Sequence, residues 1–127
     1  MFLLQKKNPS ETVDVVIVDG KKGDVLLIPP DYGHVTINNG EEDLVMANLV
    51  YDGFSSVYGD FKSNRGAAYY YLKSHEIAQN TNYIVNKNER VIARDFNEKV
   101  GFQANDLLKE LQQDPEKFRF LETPGLL

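Results

Sequence analysis

Short runs rich in apolar and β-branched residues, each closed by Asn, Asp, Gly or Pro, fill the first two thirds of this chain, and that rhythm constrains the fold most. Phe2 to Gln5 is followed by the turn Asn8-Pro9-Ser10, and Thr12 to Asp19 by Asp19-Gly20. Val25 to Ile28 runs into Pro29-Pro30, His34 to Asn38 into Asn39-Gly40, and Leu44 to Tyr51, Ala67 to Leu72 and Val91 to Arg94 complete the predicted strands. Such spacing predicts an all-β sandwich or barrel. The last quarter reads differently: Asn105-Asp106 caps a helix carrying Leu107, Leu108 and Leu111, and Asp114 caps a further turn with Pro115 at its first position.

The 127 residues suffice for one core and one domain. A net charge of -5 excludes a general binder of nucleic-acid backbone, which needs clustered Lys and Arg. With no cysteine there is no disulfide framework, thiolate metal site or cysteine nucleophile. No apolar run approaches the roughly 20 residues that span a bilayer. Met1-Phe-Leu-Leu is too short for a secretory signal, so the expected location is cytoplasmic.

One stretch carries chemistry: Gly23-Asp-Val-Leu-Leu-Ile-Pro-Pro-Asp-Tyr-Gly-His-Val-Thr-Ile-Asn38. Strand alternation puts His34, Thr36 and Asn38 on one face and Val35 and Ile37 on the other. If the aliphatic pair faces the core, His34 is a surface residue. If His34 faces inward, its imidazole needs a partner or something to ligate. Pro29-Pro30 ends the preceding ladder and stiffens the turn that aims His34.

The spacing Gly23, Pro29, His34, Asn38 resembles the second motif of the cupin superfamily, double-stranded β-helix barrels of jelly-roll type. Asp31 stands where many cupins carry glycine. The run IPPDYGHVTINNGEE, then Val57-Tyr58-Gly59, the strand RGAAYYYL and the tail DPEKFRFLETPG resemble the C-terminal half of cupin-type glucose-6-phosphate isomerase. The resemblance implies an all-β barrel portion over residues 1–102, incomplete in this chain, and a helical tail over 103–127 packed on it. It implies interconversion of glucose 6-phosphate and fructose 6-phosphate, with His34 as one ligand of a divalent iron, manganese or zinc ion. Tyr58 matches a tyrosine near the sugar, with Ser56 where better-known archaeal members have histidine. Tyr51 lies one residue out of register with another substrate-side tyrosine, and Arg65, in Asn64-Arg-Gly before a strand, is either a bidentate donor for the sugar phosphate or a solvated loop arginine.

The family's other metal ligands and its acid/base carboxylate lie in a His-x-His motif that this chain lacks, its histidines being His34 and His75. No general base is therefore assigned, and Asp31, Glu41, Glu42 and His75 are expected to be solvated. Three or more protein ligands usually hold a catalytic divalent ion, so the chain alone is expected to bind metal weakly. Met1 falls where the strand between the family's two motifs begins, which leads to the expectation of a half-barrel that forms a homodimer or joins a missing N-terminal half. The rival expectation is a non-catalytic cupin half that binds a sugar or a partner chain. In a third reading Tyr69 to Tyr71 simply pack in a structural domain.

Overall fold

A computed structural model describes all 127 residues. Strand β1 (Phe2–Lys7) and strand β2 (Val13–Asp19) form an antiparallel hairpin in which Phe2 faces Val18 and Lys7 faces Val13. Asn8 makes the turn: its backbone N–H and C=O bond Thr12 and Glu11, and its side chain donates to Thr12 and Asp14. β3 (Tyr32–Thr36) pairs antiparallel with the other side of β1. Helix α1 (Gly59–Ser63) precedes the small hairpin of β4 (Tyr69–Tyr71) and β5 (Ile77–Gln79). β6 (Val85–Ile92) then returns to lie parallel to β2, with a register shift at Val13/Asp14, and completes a sheet of order β3-β1-β2-β6.

Both faces of that sheet are covered, which explains why β2 is apolar almost throughout instead of alternating. One face carries Leu3, Val15 and Ile17 against Ala67, Ala68 and Tyr83, with the β4–β5 hairpin packed outside them. The other carries Leu4, Val16 and Val18 against Ala93 and Phe96 of helix α2 (Ala93–Lys99). Leu3, Leu4, Val15 and Val18 are fully buried, each contributing about 1.5–3 kcal/mol of transfer free energy. Helix α3 (Leu107–Gln113) and the 3-10 turns Pro115–Leu121 and Pro124–Leu126 follow, and Phe118 packs with Phe102 and Leu27 in a third cluster.

The chain is thus mostly β-sheet with a few short helices, and its two sheets do not close into a barrel. Two predicted strands are absent. Val25 to Ile28 joins no ladder because the side chain of Asn97 supplies its hydrogen bonds, accepting from Leu27 N–H (3.1 Å) and donating to Val25 C=O (2.7 Å). Leu44 to Tyr51 forms no strand and pairs with no other segment of the chain. Two others are displaced or shortened: Val91 to Arg94 is split between the end of β6 and the start of α2, and only Tyr69–Tyr71 of the tyrosine run pairs. The strand expected from His34 to Asn38 begins two residues earlier and ends at Thr36.

Candidate functional site

Asp31 occupies the left-handed region at φ 66°, which gives the preceding prolines their turn and accounts for glycine being the usual residue at such a place. The chain then enters β3, an edge strand, with Tyr32, His34 and Thr36 on one face and Gly33 and Val35 on the other. Val35 and Ile37 pack on the Leu3 face, so His34 lies on the opposite side, directly across from Leu4. Its imidazole reaches solvent at the sheet edge, yet the protein around it desolvates the ring enough to lower its pKa and favour the neutral form.

The same face presents polar residues beside His34. Register across the strands places Tyr32, Lys6, Asp14 and Lys87 in one row and His34, Leu4, Val16 and Glu89 in the next. An open groove runs over Tyr32, Asp14, Lys87 and Glu89. Lys6 sits 5.8 Å from the centre of the Tyr32 ring and 3.8 Å from Asp31. Burial raises the Tyr32 pKa, helped by the negative charges of Asp14 and Glu89. Asp14 accepts hydrogen bonds from Asn86 (2.7 Å) and Asn8 (3.0 Å), which lower its pKa, and Glu89 is paired with Lys99 at 2.6 Å. The hydrogen bonds that lower the Asp14 pKa make its carboxylate a weaker base, and the Glu89 carboxylate is engaged by Lys99.

The other expected site residues stand elsewhere. Tyr51 and Tyr58 are exposed in the segment between β3 and α1, and the carbonyl of Tyr58 accepts from Lys62 N–H at the start of α1. Arg65 follows α1 at φ 59°; its carbonyl accepts from Tyr70 Oη (3.0 Å), and its guanidinium makes no ion pair in the chain. Helix α1 is pinned against β3 by Phe61, whose ring lies so close to Gly33 that a Cβ there would sit 3.0 Å away. Because Gly33 and His34 point to opposite faces, β3 separates His34 from α1 and from the residues that bracket it. His75 sits in the β4–β5 turn, bonded through Nδ1 to Tyr71 Oη at 2.8 Å.

No three His, Asp or Glu side chains lie together in a way that holds a metal ion. His34 is a single donor, so the residues present do not fit a catalytic divalent centre. Sequence reasoning did not find Tyr32, Lys87 and Glu89; Asn86-Lys-Asn-Glu-Arg90 is polar at every position and lacks the alternation that marks a strand. No helix is long and apolar enough to cross a membrane.

Comparison with known proteins bears on residues 1–89, which match the family model described as glucose-6-phosphate isomerase (GPI). The match takes in His34, Tyr51, Tyr58 and Arg65 and ends inside β6, so α2, α3 and the 3-10 turns lie beyond it. No curated protein and no solved structure matches the chain.

Proposed function

Because the chain belongs to the glucose-6-phosphate isomerase family, we propose that it serves the interconversion of glucose 6-phosphate and fructose 6-phosphate, providing binding groups for the sugar phosphate. The observation that carries this reading is the family match across residues 1–89. Arg65 is a free guanidinium able to take two phosphate oxygens in a bidentate pair. The exposed phenols of Tyr58 and Tyr51 are donors and acceptors for sugar hydroxyls. His34, favoured in its neutral form, offers one ring nitrogen as acceptor and the other as donor.

Isomerisation moves hydrogen between C1 and C2 and needs a group that takes and returns a proton or positions a hydride. Asp14 and Glu89, the carboxylates on the His34 face, are engaged by Asn86, Asn8 and Lys99, so the acid/base group of this reading comes from outside the chain. The same holds for the remaining ligands of any divalent ion. A second reading, a non-catalytic half that binds a sugar or a partner chain, is favoured by the absence of a three-residue ligand cluster.

A coupled assay of fructose 6-phosphate conversion by the purified chain, with manganese or iron and with a chelator as control, tests them. Metal-dependent turnover that falls in Arg65→Ala supports the isomerase reading. Titration heat with fructose 6-phosphate but no turnover fits the binding-only reading or a catalytic group supplied from outside the chain, and the absence of both signals in a folded sample overturns Arg65, Tyr51 and Tyr58 as sugar-phosphate contacts.

A further inference from the structure

The segment between β3 and α1 contains the run Leu44 to Tyr51, read from the sequence as a strand, which joins no ladder. From Leu44 to Val50 no backbone N–H or C=O takes a backbone hydrogen bond; Leu49 packs on the Leu27–Phe102–Phe118 cluster and anchors the run, while Leu44, Val45, Met46 and Val50 are exposed, Val45 at 91%, as is Val57 further on. Open backbone edges and unburied apolar side chains in one run are the two features that strand addition by another chain would satisfy together.

Charge identifies the partner. Residues 23–61 contain no Lys or Arg, while Glu41, Glu42 and Asp43 precede the apolar run and Asp52 and Asp60 follow it. None of these five carboxylates forms an ion pair. Antiparallel self-pairing that sets Leu44 opposite Tyr51 also sets Asp43 opposite Asp52, a shift of one residue one way sets Glu42 opposite Asp52, and a shift the other way places Asp52 opposite Leu44. Like charges directly across a strand pair repel, so a second copy is disfavoured. We propose that Leu44–Tyr51, with Val57 beside it, is a docking strand for a different polypeptide that offers an apolar strand flanked by Lys or Arg. This goes beyond the proposed reaction and stands on separate observations.

The test titrates the full chain with a synthetic peptide of alternating valine and threonine ended by two lysines on each side, against the same peptide ended by glutamates. The expected result is binding of the lysine peptide only, protection of amides 44–51 from hydrogen exchange, and weakening as salt rises. Glu41→Lys, Glu42→Lys and Asp43→Lys combined should lower affinity about tenfold. Val45→Ser, at a fully solvated position, should weaken binding without altering the circular dichroism spectrum. The proposal is overturned if the lysine peptide does not bind, if it binds indifferently to these substitutions, or if the free chain sediments as a dimer with amides 44–51 already protected. All of these are binding readouts, independent of sugar-phosphate turnover.

Discussion

Two single residues carry more than their size suggests. Asn97 is the buried side chain that stands in for a strand, bonding both Val25 and Leu27 from helix α2. Asn97→Ala leaves the buried Leu27 N–H and the half-buried Val25 C=O without their partner and should cost about 2 kcal/mol, read from urea midpoints; an unchanged midpoint would show that water replaces the amide. Asp31 holds φ 66° with only a long, exposed pairing to Lys6 in return. Asp31→Gly should leave stability unchanged or slightly raised, whereas Asp31→Val should lower it by about 1–2 kcal/mol, because a β-branched side chain crowds the left-handed backbone. The motif containing Asp31 was legible from spacing alone. Asn97 was not, since a polar residue seventy positions from Leu27 carries no local sign of its partner.

Among the elements, helix α3 was the most legible, because its stop and start signals are local. The Asp106 carboxylate accepts from Lys109 N–H as expected of a cap, and Glu110 reaches back to the N–H groups of Asn105 (2.7 Å) and Asp106 (3.2 Å). The Lys117 ammonium, together with those two N–H groups, holds the Glu110 carboxyl at about 2, against the usual 4.5. A pKa depressed by folding means stabilisation that is complete above pH 4.5 and is lost as pH falls toward about 2. Glu110→Gln should therefore flatten the acid response of α3 in that window, as seen in the amide shifts of residues 105–110; an identical response in the variant would place the acid transition elsewhere. β6 and α2 were illegible for a related reason. β6 is polar because it is an edge strand, and α2 begins at Ala93 after Ile92, whose side chain cannot cap it, so neither carries the usual mark of its type.

For the whole molecule, the decisive feature is a sheet covered on both faces, by the tyrosine hairpin on one side and α2 on the other. Leu4 lies at the centre of the second face, fully buried and opposite His34. Leu4→Ala should destabilise the chain by about 3 kcal/mol through lost burial and an unfilled cavity. Tyrosine fluorescence and far-ultraviolet dichroism should report the same shifted midpoint, and separate midpoints would show that the two faces unfold independently. The candidate site divides at this scale as well: the strand that carries His34 is local in origin, but which face His34 shares with Tyr32, Asp14 and Glu89 depends on β1, β2 and β6. By itself, the sequence determined the β-rich character, the Pro29-Pro30 turn into His34, the caps of the C-terminal helices and the family, because each rests on residues close along the chain. Only the tertiary structure decided that the sheets stay open, that β3 separates His34 from Tyr58 and Arg65, and that Leu44 to Tyr51 goes unpaired. Strand partners and shared faces arise from contacts between distant segments, and the hydrophobic pattern of one segment does not specify which other segment will cover it.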